Sequence, residues 1–461
     1  MKIPFIGKNQ PDRTRLHHYT IENNGYRSRI HLRIDPDGFG TLMLNANRIV
    51  HLNPTASLMA FLSLEKEPTA DAIKKIKSKY RVSLKKASED YNNFLSDFEL
   101  IIRPDSCPIC AVDNIEISTP FSTMPTAPYR MDLAITYRCN NNCSHCYNER
   151  PRDYQEISTD QWKTIIDKIW ELGIPHIVFT GGEPTLRKDL PDLISHAEQN
   201  GQITGLNTNG RKLRDVSYVN QLVSAGLDHV QITLESHDPL VHDDMVAKPG
   251  AWEETVTGIR NVLDTPLYAM TNTTMLNNNS RQLGGTLEFL GNLGVPTVGL
   301  NALIYAGKGR TVGSGLLEND LPPLLDLARI STSEFGQRLI WYTPTQYCHF
   351  DPTQLELGIK SCTAALYNMC IEPDGFVIPC QSYYQQLGHI LNDHWDSIWN
   401  HELSISLRNR QYSNHECQEC ILLQECGGGC PLVYQEREDQ VINIQKIPVH
   451  NGIPNISKLL Q

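Results

Sequence analysis

The sequence predicts an α/β protein whose body is a partial (βα)6 barrel, preceded by a winged-helix-like α+β unit and followed by a cysteine-rich region. Two observations define the barrel. Short runs rich in Ile, Val, Thr or Leu recur through the middle of the chain, and segments of helix length with apolar residues at helical spacing separate them. Such alternation predicts parallel βα units. A third observation sets the flanks apart: alternating antiparallel-type runs before the barrel, and closely spaced cysteines after it.

In order, Arg27–Ile34, Gly40–Leu44 and Arg48–Leu52 read as short antiparallel strands, with Asp35-Pro36-Asp37-Gly38 as a turn between the first two. Helical segments follow near Ala56–Leu64, Thr69–Lys79 and Ser88–Ile101, and residues 1–105 form this unit. A linker over 106–128 contains Cys107-Pro108-Ile109-Cys110. The barrel occupies 129–315. Its strands are expected at Leu133–Thr136, His176–Thr180, Ile203–Asn207, His229–Leu234, Leu267–Thr273 and Thr297–Leu303, and its helices include Thr159–Glu171, Pro191–Asn200, Ala251–Leu263 and Arg281–Leu293. Six repeats indicate an open barrel rather than the closed eight. Connecting helices are expected over 316–345, and the cysteine-rich domain over 346–461.

A chain of 461 residues is long enough for several domains with proper cores. No stretch approaches the apolar length of a membrane span and MKIPFIGKNQPDRTR lacks a signal-peptide core, so the expectation is a soluble, cytoplasmic protein with no membrane partner. Thirteen cysteines in such a protein serve metals more often than disulfides. A formal charge of -11 disfavours nucleic acid, whose phosphates need a basic surface.

The densest chemical signal is Cys139-Asn140-Asn141-Asn142-Cys143-Ser144-His145-Cys146, followed further on by Gly181-Gly182-Glu183-Pro184. Zinc also uses short C-x2-4-C spacings, but it closes with four ligands and no fourth cysteine follows nearby, although His145 lies inside the loop. A cubane iron–sulfur cluster that only transfers electrons takes four thiolates, so three leave one iron open. The Cys loop, the Gly-Gly turn and Asn207-Thr208-Asn209-Gly210 each follow a predicted strand, on the face where barrel sites lie.

The loop and the turn together resemble the radical S-adenosylmethionine (SAM) superfamily. The resemblance implies a partial barrel, a 4Fe-4S cluster on Cys139, Cys143 and Cys146, and SAM chelated at the open iron. It also implies that the backbone of Gly181 and Gly182 and the carboxylate of Glu183 contact the methionine ammonium of SAM, and that Asn209, Thr233 and Glu235 add polar contacts from strand ends. Those three are also ordinary strand-end and turn residues. No catalytic side chain is identified.

Cys417-x2-Cys420-x5-Cys426-x3-Cys430, preceded by Cys362-x12-Gly375-x4-Cys380, is compatible with a zinc ribbon and resembles the SPASM domain, which binds auxiliary iron–sulfur clusters. Ile371–Cys380 reads as a hairpin with an Asp-Gly turn. The resemblance implies one auxiliary cluster on Cys362, Cys380 and Cys430, with Cys348 as candidate fourth ligand, and a second on Cys417, Cys420 and Cys426. The family pattern has a further cysteine after Cys430 that this sequence lacks; Cys107 or Cys110 is one substitute, an open iron another. Cys370 is either a packed apolar residue or, as in peptide epimerases of the superfamily, a hydrogen-atom donor.

Residues 44–80 resemble the recognition element of enzymes that mature ribosomally made peptides, which holds a leader peptide as an added strand; a structural cap or a DNA-binding module are the other readings of a small winged fold. Lys74, Lys75, Lys77, Lys79, Arg81, Lys85 and Lys86 form either a solvated helix face or an attractor for an acidic leader. The function implied is a radical SAM peptide maturase that uses a 5'-deoxyadenosyl radical to crosslink, oxidise or epimerise a precursor peptide, supplied with electrons by a flavodoxin or ferredoxin. The alternatives are a SPASM enzyme acting on a protein or small molecule, in the manner of a sulfatase maturase or a cofactor-building oxidase, and a non-catalytic iron–sulfur sensor.

Overall fold

The computed structural model describes residues 14–23, 26–46, 48–103 and 124–434. Cys107 and Cys110 lie outside the described residues. The first unit is a four-stranded antiparallel sheet in the order β1 (Arg15–Asn23), β2 (Tyr26–Ile34), β3 (Gly40–Leu44), β4 (Arg48–Leu52). The expected Asp35–Gly38 turn is closed by Gly38 N donating to Asp35 O at 2.9 Å, with Gly38 at φ 86°. The sequence reading began at Arg27 and left out β1, which pairs with β2 from Arg15 opposite Ile34 to Asn23 opposite Tyr26. Its RLHHYTIEN sequence is largely polar, so it shows a strand's length without a strand's apolar stripe.

Three helices, α1 (Pro54–Leu64), α2 (Thr69–Tyr80) and α3 (Leu84–Ile102), complete the unit. Asn53 caps α1 ahead of Pro54, and Ser83 caps α3, so both starts follow the local rule that a short polar side chain replaces the missing turn. Ile30, Leu32, Leu42, Leu44, Ala60, Phe98 and Ile101 form the core between sheet and helices. Four members of the basic run make surface ion pairs of small energetic weight, Lys74 with Asp71, Lys75 with Glu67, Lys85 with Glu89 and Lys86 with Asp90.

The second sheet has ten strands in the order β11-β10-β9-β8-β7-β6-β5-β12-β13-β14. Strands β5 (Arg130–Thr136), β6 (His176–Gly181), β7 (Ile203–Thr208), β8 (His229–Thr233), β9 (Tyr268–Thr274) and β10 (Thr297–Asn301) are the six expected parallel strands. The structure extends them on both sides. Strand β11 (Arg338–Trp341) adds in parallel beyond β10, where the sequence reading had only connecting helices; one helix, Leu321–Glu334, is there, and the four residues of β11 are too few to carry a periodic signal.

On the other side, β12 (Asn368–Ile371) pairs in parallel with β5 and then turns back through β13 (Phe376–Ile378) to β14 (Gly388–His389). The expected Asp374-Gly375 hairpin is present, with Gly375 at φ 93° and Glu372 N donating to Phe376 O at 2.7 Å. Its first strand continues the barrel sheet. The cysteine-rich region is therefore joined to the barrel by a β-ladder.

Along the barrel strands apolar residues alternate with polar ones. Met131, Leu133, Ile177, Phe179, Leu206, Val230 and Ile232 point outward under helices such as Thr159–Glu171 and Leu190–Asn200, and are fully or almost fully buried. The intervening Arg130, Asp132, His176, Thr180, Asn207, His229, Gln231, Thr233 and Asn272 line a partly open cavity of about 1490 Å³. Parallel strands buried on both faces are usually apolar throughout; here the inner face is polar because it surrounds a binding space.

The N-terminal sheet docks on the barrel where β6, β7 and β8 begin. Arg29 ion-pairs with Glu198 and Asp228 and donates to Gln202 O at 2.8 Å; His31 Nε2 donates to Gly201 O at 2.8 Å; Arg33 donates to Ala127 O at 3.0 Å. All three side chains are buried. Among the described residues no helix is long and apolar enough to cross a membrane.

Candidate active site at the mouth of the barrel

At the C-terminal ends of the strands, the loop after β5 carries Cys139, Cys143 and Cys146, all free thiols. Neighbouring strand ends fix the loop. Asn142 N and Ser144 N donate to Val246 O and Met245 O, each at 3.0 Å, and Arg211 donates to Asn140 O at 2.7 Å and Asn141 Oδ1 at 2.9 Å. Asn209 Nδ2, at the end of β7, donates to Asn140 Oδ1 at 2.7 Å. His145, between two of the cysteines, has Nε2 2.9 Å from Glu235 Oε1, and the other Glu235 oxygen accepts from Thr274 N at 2.8 Å.

The Gly-Gly turn is pressed against the root of this loop. Gly181 has φ 136°, and a Cβ there would lie 2.1 Å from Thr136 O; at Gly182 it would lie 2.4 Å from Arg138 O. Only glycine fits such an approach. Gly182 N donates to Thr136 O at 2.7 Å and Glu183 N to Arg138 O at 2.8 Å, so the turn and the Cys loop are one hydrogen-bonded piece.

Glu183 is fully buried. Its Oε1 accepts from Thr185 N, Thr185 Oγ1 and Thr208 Oγ1 at 3.1, 2.6 and 2.7 Å, and its Oε2 from Asn209 N at 2.8 Å. Burial holds this carboxyl above the usual range in spite of those donors. The side chain stands behind the wall, whereas Gly181, Gly182, Asn209, Thr233 and Glu235 line the cavity itself.

Asn272 and Asn301, at the ends of β9 and β10, also line the cavity and were not singled out by the sequence reading. Asn272 Nδ2 donates to Asn301 Oδ1 at 2.8 Å, and Asn272 Oδ1 is buried without a partner. A polar residue near the end of each predicted strand was the available signal. Arg150 was missed as well. Just after the Cys loop, it donates to both oxygens of the fully buried Glu372, at 2.6 and 2.8 Å, and lies over the rings of Tyr154 and Tyr384.

Seven of the other described cysteines fall into two sets, and Cys370 stands apart from both. Cys362, Cys380 and Cys430 line the same cavity as the first trio. Burial, and then Cys362, raises the Cys380 thiol to about 12; burial, and then Cys362 with Cys380 behind it, also raises Cys430. Cys348 is not with them. It is exposed, with the thiols of Cys417 and Cys420 among its neighbours. Cys370 is buried against Ala134, Tyr137 and Ile378.

The thiol loop suits a multi-iron group. Burial pushes the Cys139 thiol up to about 11 and Cys143 well up. The glycine cradle and, elsewhere on the same cavity wall, the unpartnered Asn272 oxygen offer backbone and amide groups to a polar ligand.

Comparison with known proteins agrees. Residues 133–290 match the radical SAM superfamily, and residues 362–421 match SPASM, an iron–sulfur cluster-binding domain. The first match contains the Cys loop and the Gly-Gly turn; the second contains Cys362, Cys380, Cys417 and Cys420. A curated relative, the Fe-coproporphyrin III synthase of Methanosarcina barkeri, is 32% identical over 178 residues, which is 38% of this chain and 44% of that protein. This chain thus matches less than half of that relative's length.

Among solved structures, Streptococcus suis SuiB superposes with a TM-score of 0.65 at 17% identity, over 88% of this chain and 95% of its own. SuiB bound to the precursor peptide SuiA gives 0.62 at 14% identity, over 86% and 92%. anSMEcpe with bound AdoMet gives 0.52 at 16% identity, over 69% and 99%. At these identities the likeness is one of fold. The domains found are those that bind SAM and iron–sulfur clusters.

Proposed function

We propose that this chain, a radical SAM enzyme whose barrel continues into a SPASM domain, matures a ribosomally made precursor peptide by crosslinking, oxidation or epimerisation. One observation carries the choice of a peptide. The N-terminal sheet is docked on the barrel, and Met43, Asn45, Ala46 and Ile49 of its β3–β4 hairpin line the same cavity as the Cys loop. Strand β4 is an edge of that sheet, and an edge strand recruits an extended peptide by main-chain hydrogen bonds. SuiB shares its fold with 88% of this chain and has been solved with a precursor peptide.

In this reading Cys139, Cys143 and Cys146 hold the first cluster, and the backbone of Gly181 and Gly182 with the side chains of Asn209, Thr233 and Glu235 holds SAM. When bound, cluster and SAM supply a one-electron cleavage of the sulfonium carbon–sulfur bond and a carbon radical that abstracts hydrogen. Glu183 acts behind the wall, fixing the turn to the end of β7 through Thr185, Thr208 and Asn209. Glu235 orients His145 and so the middle of the Cys loop. Ile304, Tyr305, Leu432 and Val433 line the cavity with apolar surface, which keeps water from a reactive radical. A small electron-transfer protein such as a flavodoxin or ferredoxin supplies the electron.

The test is anaerobic reconstitution with SAM and a reductant, scored by 5'-deoxyadenosine release and by the mass of a co-expressed candidate precursor. A mass change that needs Cys139, Cys143 and Cys146 is expected. A second reading, an oxidase of a protein or small molecule, has its own support in the coproporphyrin synthase match. Removing residues up to 103 distinguishes the two, because full turnover by the shortened chain would favour the second. SAM left intact under every condition would leave only a non-catalytic iron–sulfur protein.

A further inference from the structure

The segment Thr345–Cys348 lies along the loop that carries the last four cysteines. Tyr347 N donates to Cys426 Sγ at 3.4 Å, and the Cys426 thiol donates to Thr345 O at 3.6 Å. The Gln346 amide donates to Tyr434 Oη, which stands 3.6 Å from Cys417 Sγ. A Cβ on Gly429 would come within 2.9 Å of Gln346 Cγ, so glycine at that position, with φ 86°, lets the two segments approach. These contacts bridge up to 88 positions of sequence. Thr345 and Tyr347 thus contact Cys426 itself, and Gln346 packs on Gly429 and Tyr434 just beyond it.

We propose that Cys348 is the fourth thiolate ligand of the iron–sulfur cluster held by Cys417, Cys420 and Cys426. It takes the role of the cysteine that the SPASM pattern places after Cys430, a position for which this sequence offers no cysteine. Cys348, Cys417, Cys420 and Cys426 all stand off the lining of the cavity. Cys362, Cys380 and Cys430 line that cavity instead. On ligation each thiol releases its proton to solvent, and four thiolates close a cubane with no iron left open. The outer cluster is then complete, and Cys107 and Cys110 are not needed for it.

A fourth thiolate here depends on the cluster-binding domain and not on the identity of the substrate, so it stands or falls apart from the peptide reading. The test counts thiols and iron. In anaerobic, cluster-loaded full-length protein, brief alkylation followed by peptide mass spectrometry reads each cysteine. Cys348 is exposed, so as a free thiol it labels at once; as a ligand it is protected together with Cys417, Cys420 and Cys426, and all four label after an iron chelator. Labelling of Cys348 while the other three stay protected overturns the assignment, as does labelling of all four before chelation.

A second arm uses chains in which Cys139, Cys143 and Cys146 are alanine, so that only auxiliary clusters contribute. There Cys348→Ala lowers iron per chain or converts one cluster to a three-iron form visible by paramagnetic resonance after oxidation. Adding Cys417→Ala changes nothing further beyond loss of that same cluster, whereas Cys362→Ala removes a second one. If Cys348→Ala and Cys362→Ala prove to affect the same cluster, Cys348 returns to the cavity side and the proposal fails.

Discussion

His145 Nε2 lies 2.9 Å from Glu235 Oε1, joining the middle of the Cys loop to the end of β8 across 90 positions of sequence. Both side chains are almost entirely buried, and Thr274 N holds the second Glu235 oxygen. The pair orients the loop without occupying the places of the three thiols. Replacing Glu235 by Gln keeps the shape and one acceptor but removes the charge. We expect a drop in cluster retention or SAM turnover of the order of ten- to a hundredfold, the usual effect of losing a group that orients a metal site. Iron content and 5'-deoxyadenosine release measured together check it; unchanged values for both would refute the anchoring role.

Gly182→Ala tests the cradle. The new methyl would stand 2.4 Å from Arg138 O and 2.5 Å from Tyr137 O, both backbone atoms that cannot swing away. The loop root must shift, at a cost of about 1–3 kcal/mol. The expected outcome is a folded protein with reduced cluster absorbance. Gly313→Ala serves as a comparison, because a Cβ there meets nothing within 4 Å, although its φ of 68° carries a small backbone penalty.

Arg150 and Glu372 connect the barrel to the hairpin that carries Cys380. Arg150→Ala leaves a fully buried carboxylate without its charge partner, which costs about 3–5 kcal/mol. Arg150→Met combined with Glu372→Gln recovers much of that loss, since the uncompensated charge is gone. Denaturant midpoints of the single and double variants measure the difference.

The docking of the N-terminal sheet gives a pH dependence. His31 is buried against Gly201 O, and burial lowers its pKa from 6.5 to about 4. The folded state therefore holds His31 neutral while the unfolded chain binds a proton below about 6.5. This contribution is fully present above the unfolded value and is lost as pH falls through 6.5 towards 4, amounting to about 3 kcal/mol at the acid end. His31→Asn is expected to flatten the stability profile between those limits and to change it little at pH 8. His229, also lowered to about 4, and the other buried histidines with lowered pKa, His176 and His242, add to the remaining acid sensitivity.

Local pattern was sufficient for much of this molecule. The Cys-x3-Cys-x2-Cys loop, the Gly-Gly turn and the six strands from β5 to β10 could be placed because each is written in a short window, as spacing, turn chemistry or periodicity. Strand β1 and Arg150 escaped because neither a polar strand nor a lone arginine leaves such a pattern. The polar lining of the barrel was also hidden, since alternation along one strand does not say that six such faces enclose a common space.

The sequence by itself determined the chemistry offered: three thiols too few to close a cubane, beside a turn that only glycine can make, within βα units. Tertiary structure alone decided which thiols keep company. Cys348 is 14 residues from Cys362 in sequence, yet it lies with Cys417 and Cys420, while Cys380 and Cys430 meet Cys362 at the cavity. The physical reason is that contacts between distant segments depend on how strands such as β12 and β5 pair and which loops then pack, and no local propensity encodes that closure.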